Sequence, residues 1–328
     1  MNQHVLVTGS AGFLGTNLVP ALVAKGYAVT GLDNLTHGNR SPVRGFEGTG
    51  FRFVEGDVQN VETVRSAADG ADAIIHFAEA KIPRYGATRA TLESNVIGTE
   101  NVLTAAAESG ARVIYGSTEE VYGKNPERWL NEEAALVLGQ TNVNRWAYAA
   151  SKVLSEQLCF AYQESYGVKI TILRYASGYG THQSLDWQGG PQSVFISAAL
   201  RGKKIPIHGD GLQSRTFTHA ADMVRGTMLA LESPYAEGEI FNIGSRDEVT
   251  IINLAYLIWR LVKKPQKPVL DFVPYTDFSR NYEDVRHRAL DISKASYLLG
   301  YEPRVNLADG LRETIQWQAS MLGSPGEI

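Results

Sequence analysis

The chain has a single cysteine, Cys159, so an intrachain disulfide and a cysteine-rich metal site are both excluded. Nothing in it therefore points to an oxidising compartment. No apolar run approaches the roughly 20 residues that a membrane-spanning helix requires. Positive charge is not in excess: 31 Lys and Arg against 35 Asp and Glu give a net charge of −4. That balance argues against a nucleic-acid binder built on bulk electrostatics. The start, Met-Asn-Gln-His, carries neither a basic segment nor a cleavage site, so no signal peptide is expected. Internal repeats, low-complexity blocks and long charged runs are missing too. No histidine cluster has metal-ligand spacing, and no Ser/His/Asp set sits on a nucleophile elbow. What remains is the expectation of a cytoplasmic soluble protein. Its 328 residues, 44% hydrophobic and 20% charged, suffice for about two domains.

Short apolar runs alternate with helical stretches through the first half. Strands are expected over residues 5–8, 28–32, 51–55, 73–77, 113–116 and 170–175, and helices over 15–24, 61–68, 95–109 and 147–166. Nearly all-apolar strands separated by helices indicate an α/β fold with a doubly wound parallel sheet, the Rossmann arrangement, covered on both faces. After Tyr175 the rhythm weakens. Gly-rich and aromatic loops cover 177–191, with a helix at 192–201, a strand at 240–243 and a helix at 251–262. A Pro-rich stretch, 264–274, precedes a final helix at 307–321 and a frayed tail after Gly323. The expected division is a nucleotide-binding domain of residues 1–175 plus about 215–245, and a smaller interleaved C-terminal substrate domain of about 176–214 plus 246–328.

Residues 8–15 read Thr-Gly-Ser-Ala-Gly-Phe-Leu-Gly, with Gly9, Gly12 and Gly15 three apart between a strand and a helix. Glycines there permit a tight turn and close approach of the backbone to a pyrophosphate, and the helix N-terminus supplies N–H groups and a positive dipole. Asp33 ends the second strand, where a carboxylate can accept from both ribose hydroxyls and would repel a 2′-phosphate. NAD is thus inferred rather than NADP, against the plainer reading of a helix-capping Asp beside a glycine turn. Phe13 and Leu14 within the turn, Asn34 after Asp33, and Asp57-Val58 after the third strand complete the expected cofactor contacts.

Tyr148 and Lys152 stand four apart and share one face of a helix. A tyrosine has a pKa of about 10 and is a poor base at neutral pH. A nearby lysine and a cationic nicotinamide would both stabilise the phenolate, so Tyr148 is a candidate base for a hydroxyl proton as hydride leaves. Tyr-x-x-x-Lys alone is common on solvated helix faces. Its weight comes from a second segment, Gly116-Ser-Thr-Glu-Glu-Val-Tyr-Gly123, at the carboxyl edge of a strand, where ligands bind in such sheets. There Thr118 can donate to a sugar hydroxyl or share its proton with Tyr148. Glu119 and Glu120 form a carboxylate pair that is costly unless solvated or used. Cys159 falls on the apolar side of the same helix and reads as core.

The glycine turn, Ser-Thr-x-Glu-Val-Tyr-Gly, Tyr-x-x-x-Lys and Gly209-Asp-Gly-x-x-x-Arg215-x-Phe217 occur in that order. Together they resemble the extended short-chain dehydrogenase/reductase family that modifies nucleotide sugars, over essentially the whole chain. The resemblance implies a tightly held NAD, with Thr118, Tyr148 and Lys152 acting at C4 of the sugar. It also implies a UDP-sugar diphosphate bound by Arg215, whose guanidinium suits phosphate oxygens, and a homodimer formed through two helices per subunit. Neither a nucleic acid nor a membrane is expected as a partner.

All such enzymes oxidise the C4 hydroxyl first and differ in what the ketone then permits. Leu138-Gly139 with Arg145-Trp146-Ala147-Tyr148 resembles the stretch before the catalytic tyrosine in UDP-glucuronate decarboxylases. Arg288, three before Asp291, is similar to their Arg-x-x-Asp, whose arginine lies at the C5–C6 end of the sugar. Glu120 matches a glutamate that decarboxylases and dehydratases share at C5. UDP-glucuronate decarboxylation to a UDP-4-keto-pentose or UDP-xylose is therefore the expected reaction, with Thr118, Glu119, Glu120, Tyr148, Lys152 and Arg288 as the catalytic set. A UDP-sugar 4-epimerase comes second and an NDP-hexose 4,6-dehydratase third. Glu119 points toward the third, because it replaces a serine of the decarboxylases and stands where the dehydratases carry an acidic proton donor. An NAD-bound sensor without turnover would not need both Tyr148 and Lys152. Other departures lie around the substrate: Ser177 replaces a diphosphate-binding asparagine, Thr181-His182-Gln183 replaces a Gly-Pro-Arg region, and Glu79 stands where alanine is usual. Residues 186–196, with Trp187, are expected to shape the sugar pocket.

Overall fold

Val5, Leu6 and Val7 are all fully buried, and they face opposite ways: Val5 and Val7 pack into one apolar cluster and Leu6 into another. This is why the strand reads as continuously apolar instead of alternating. The computed structural model describes residues 3–81, 88–183, 185, 190–263, 266–277 and 283–323. Seven strands make the central sheet: β1 His4–Thr8, β2 Ala28–Asp33, β3 Phe51–Glu55, β4 Ala73–His76, β5 Arg112–Thr118, β6 Ile170–Tyr175 and, later in the chain, β10 Glu239–Ile243. Their order is β10-β6-β5-β4-β1-β2-β3, and every pairing is parallel. This is the doubly wound Rossmann order, which reverses direction at β1 and β4 and opens a crevice at their carboxyl ends.

Helices α1 Phe13–Ala24 and α7 Ala220–Glu232 bury Leu18, Leu22, Met223 and Ala230 on one face of the sheet. Helices α3 Val61–Ala68, α4 Thr88–Ser109 and α5 Arg145–Tyr166 bury Val64, Val102, Leu103 and Cys159 on the other. Cys159 is core, as its position on α5 suggests. A short helix α2, Ser41–Arg44, follows β2.

The remaining elements gather beyond the carboxyl edge. Strand β9 Ser214–His219 pairs with β7 Ser177–Tyr179, β11 Glu248–Thr250 and β13 His287–Arg288, while β8 Ile205–His208 pairs with β12 Leu270–Val273. With α6 Pro191–Leu200, α8 Ile251–Leu261 and α10 Leu307–Gly323 these strands enclose a third cluster that includes Phe195, Ile207, Phe217, Leu254, Ile258 and Leu311. That cluster takes no residue from the seven central strands. Residues of α9 Ser293–Leu299 pack back into the first cluster instead, beside Phe241 and Ile243.

Several of these elements differ from the sequence expectation. Helix α4 starts at Thr88, not at residue 95, because Thr91 and Asn95 face inward and extend the buried stripe toward the N-terminus. Helix α7 and strands β7, β8, β9, β11, β12 and β13 were not expected as elements. Strands β7, β11 and β13 are only two or three residues long and β9 is mostly polar, so apolar pattern does not reveal them. Among the described residues no helix is long and apolar enough to cross a membrane. The expected tail after Gly323 lies outside the described residues.

Helix α5 is fixed to the sheet by a buried ion pair. Arg174 of β6 donates to Glu156 of α5 through Nε at 3.0 Å and Nη2 at 2.7 Å. Ser117 Oγ of β5 donates to the same carboxylate at 2.5 Å, and Arg174 Nη1 reaches the Tyr122 hydroxyl at 3.0 Å. Removing the cation leaves a buried carboxylate uncompensated, which typically costs about 3–5 kcal/mol. Arg174→Met is expected to lose stability in that range by urea unfolding, and Glu156→Gln with Arg174→Met together to lose less than Arg174→Met alone.

Candidate active site

The turn after β1 is built for a phosphate-bearing ligand. Gly9 has φ of +71°, and a Cβ there would lie 2.7 Å from the backbone nitrogen of Ala78. A Cβ on Gly15 would lie 2.2 Å from the carbonyl oxygen of Gly9. The backbone of Gly12 caps α1, whose first turn holds no acidic side chain to compete with an anion. At the end of β2, Asp33 accepts from the backbone N–H groups of Ala11 at 2.9 Å and Leu35 at 2.8 Å. Burial raises its carboxyl above the usual range, and those two N–H groups oppose the rise. Asn34 donates to Asp57 at 2.8 Å.

Gly9, Gly12, Phe13, Leu14, Asp33, Asn34, Asp57, Val58 and Tyr148 line one cleft of about 1400 Å³, together with Thr118. Gly15 lies beneath the turn and Lys152 is wholly buried behind Tyr148, so these two act on the cleft from its wall. The residues present fit NAD. The turn is too tight for any side chain at Gly9 or Gly15, and a carboxylate held by two backbone donors stands at the ribose position. His182 and Trp317, whose ring centroids are 5.7 Å apart, border the same cleft, and no motif in the sequence marks Trp317 as part of it.

At the other end of the cleft, β5 delivers Thr118 and a 3-10 turn, Glu119–Tyr122, delivers the glutamates. Tyr148, Lys152 and Glu156 stack at four-residue intervals on one face of α5. Lys152 Nζ donates to the Tyr115 hydroxyl at 3.1 Å and to the carbonyl of Gly116, and it pairs with Glu79. Burial drives Lys152 well below the ordinary lysine range, with Glu156 opposing. Burial and the charge of Glu120 raise the Tyr148 phenol, while a hydrogen bond with Thr118 works the other way. Without ligands, Tyr148 is thus a neutral phenol.

Beside this couple lies a buried ionic cluster. Arg288 donates toward Glu120 at 2.9 Å and stands 4.0 Å from Glu119. Arg145 is 3.5 Å from both Glu120 and Asp284, and Arg215 is 2.9 Å from Asp284. The pairing of β13 with β9 sets Arg288 directly beside Arg215. Ser177 donates to Glu119 Oε1 at 2.7 Å, while Oε2 is buried without a hydrogen-bond partner. Burial raises Glu119 above the usual carboxylate range, and the Arg288 charge offsets only part of that rise. Burial also works upward on Asp284, but Arg215 and Arg145 outweigh it and hold Asp284 low.

The structure brings the expected substrate residues Ser177, Arg215 and Arg288 together with Glu119 and Glu120, next to Thr118 and Tyr148. Arg145 belongs to the cluster as well. Its neighbour Trp146 instead packs with Val143 and Val285 and donates to Glu283 at 3.1 Å. Asp284 escaped sequence reasoning, because it stands at no motif position that requires a carboxylate; the sequence marks Glu79 as a departure from alanine but not its contacts with Tyr148 and Lys152. Trp187 of the expected sugar pocket lies outside the described residues.

The family model described as the NAD dependent epimerase/dehydratase family matches residues 5–244. A UDP-N-acetyl-alpha-D-glucosaminuronate decarboxylase of Bacillus cytotoxicus is 33% identical over 320 residues, covering 97% of this chain and 98% of that protein. A dTDP-glucose 4,6-dehydratase of Streptomyces niveus is 32% identical over 339 residues, covering 96% and 92%. The crystal structure of a UDP-glucuronic acid 4-epimerase from Bacillus cereus, in complex with UDP-glucuronic acid and NAD, superposes with a TM-score of 0.88 at 27% identity, covering 97% of this chain and 100% of that one.

Two or more hydrogen bonds to a charged group separate Asp33 from a neutral substitute, each of about 1.5–3 kcal/mol. Asp33→Ala is expected to weaken NAD binding at least tenfold in calorimetric titration, because it removes the ribose acceptor and also frees the Ala11 and Leu35 N–H groups.

Proposed function

Because the chain belongs to the NAD-dependent epimerase/dehydratase family, we propose that it is a UDP-hexuronate decarboxylase that converts UDP-glucuronate, or its 2-acetamido counterpart, into a UDP-4-keto-pentose or UDP-pentose. The observation that carries this reading is the charge of the buried cluster. Three guanidinium groups, those of Arg145, Arg215 and Arg288, meet the carboxylates of Glu120 and Asp284 and a Glu119 whose pKa burial raises, which moves the balance of the cluster toward positive charge. That balance suits an anionic substituent on the sugar near Arg288 and Arg145. An ionised Glu119 would oppose a substrate carboxylate, at about 4 kcal/mol for a 4 Å separation and an effective dielectric of 20. Burial of Glu119 lessens that conflict by favouring its protonated form.

The glycine turn, Asp33, Asn34, Asp57, Val58 and Tyr148 would hold NAD, which would supply the hydride acceptor for C4 and the hydride for its return. Tyr148 takes the proton from O4, aided by the positive charge of Lys152 behind it and by the hydroxyl of Thr118. The C6 carboxylate is then β to the C4 ketone. The C5–C6 bond breaks, its electron pair passes to the enolate oxygen held by Tyr148 and Thr118, and carbon dioxide departs. Glu120, carried by Arg288 and Arg145, manages proton delivery to C5. Arg215 binds the diphosphate. The reading also takes a homodimer through α4 and α5, whose outer faces expose Leu92, Ile97 and Leu154.

A 4,6-dehydratase is the second reading, favoured by Glu119 itself: a carboxyl group that burial pushes toward its acid form, next to Glu120 paired with Arg288, suits the acid–base division which that reaction needs. Mass spectrometry of UDP-glucuronate and UDP-N-acetylglucosaminuronate incubated with protein and NAD distinguishes them. Loss of carbon dioxide is expected with one of the two. An isomer of unchanged mass would instead mean epimerisation. Inertness toward both, with loss of water from dTDP-glucose, would mean dehydration. Glu120→Gln is expected to slow turnover at least a hundredfold without a comparable loss of NAD binding, and full turnover would count against chemistry at C5.

A further inference from the structure

Glu79 follows β4 at the carboxyl edge of the sheet and lines the same cleft as Tyr148 and Thr118. The backbone of the next residue, Ala80, is held by a two-point clamp. Asn95 of α4 accepts from Ala80 N at 2.8 Å, donates to Ala80 O at 3.1 Å, and donates to Ser151 of α5 at 3.0 Å. The clamp ties the segment that bears Glu79 to the helix turn that bears Tyr148 and Lys152. The carboxylate sits between the two: the Tyr148 hydroxyl donates to Glu79 Oε2 at 3.3 Å, and Oε1 pairs with Lys152 Nζ.

The electrostatic consequence has a definite sign. A lysine beside a phenol favours the phenolate, whereas a carboxylate in contact with both cancels the lysine's charge. The hydrogen bond acts in the same direction, since accepting from Tyr148 requires the phenol to keep its proton. Glu120, on the other side of Tyr148, adds a like-signed influence, and Thr118 opposes it. Of the other groups around Lys152, Glu156 and Cys159 also favour its charged form. Tyr115 and Gly116 are neutral donors or acceptors, Glu156 is engaged by both edges of Arg174, and burial holds His76 neutral by lowering its pKa to about 3.

We infer that Glu79 is a positioning residue that cancels the charge of Lys152 and keeps Tyr148 in its protonated state until ligands enter. This rests on the roles assigned above to Tyr148 and Lys152 but not on which sugar is turned over. The position is occupied by alanine in the family pattern that the sequence resembles, so the carboxylate is a property of this chain's own couple.

Ultraviolet titration of the purified protein isolates Tyr148 as the tyrosinate signal that disappears in Tyr148→Phe. Glu79→Gln is expected to raise the ionisation constant of that tyrosine at least tenfold, and Glu79→Asp to return it toward the starting value. Thermal unfolding establishes that each variant is folded, and Glu79→Ala serves the same purpose if the glutamine variant is not. An unchanged or smaller ionisation constant in a folded, uncharged variant overturns the inference and leaves Glu79 a packing residue. The titration needs no sugar substrate. Failure to decarboxylate UDP-hexuronates therefore counts against the proposed reaction alone.

Discussion

The contact between Glu156 and Arg174 is the constraint on which the site depends. A carboxylate that receives both edges of a guanidinium and a serine hydroxyl, all out of water, has little freedom to slide or rotate. Glu156 lies one turn beyond Lys152 and two beyond Tyr148 on the same face of α5, so fixing Glu156 against β5 and β6 fixes the other two against the carboxyl edge of the sheet. The rest of the helix follows: Cys159 enters the core and Leu154 turns outward. A buried pair of this kind adds little net stability over an apolar substitute. Its effect is to choose one register of helix against sheet.

Two charged environments meet at Thr118. On the cofactor side, the Lys152 cation is wholly buried and is met by carbonyl, phenol and carboxylate groups. On the sugar side, arginines and carboxylates alternate through Glu120, Arg288, Arg145, Asp284 and Arg215. Neighbouring carboxylates diverge there, because Glu119 is buried with a single hydrogen-bond donor while Asp284 is gripped by two guanidinium groups. One is pushed toward its neutral form and the other is held ionised. That divergence lets one small volume hold both a proton donor and a fixed negative charge.

The cofactor half was legible in the sequence because its chemistry is local. Gly9, Gly12 and Gly15 are required by backbone geometry within eight residues, and Asp33 is placed by the end of a strand whose apolar run is plain. Tyr148 and Lys152 were equally readable, being one helical turn apart. The ionic cluster was readable only in pieces. Arg215, Arg288 and Ser177 were named by resemblance, yet nothing in their spacing tells that β13 pairs with β9 and sets the two arginines side by side. Asp284 was invisible and Glu79 was visible only as a departure from alanine, because each acquires its role from partners more than sixty residues away in the chain.

The sequence by itself determined a doubly wound parallel sheet, a glycine turn for a dinucleotide and a phenol–ammonium couple. These follow from hydrophobic period, backbone conformation and helical spacing, all of which act over short stretches. Only the tertiary structure decided the upward shift of Glu119, the arginine count around it and the carboxylate that meets Lys152. Burial and long-range strand pairing set those properties, since the energy of a charge depends on which groups surround it in space.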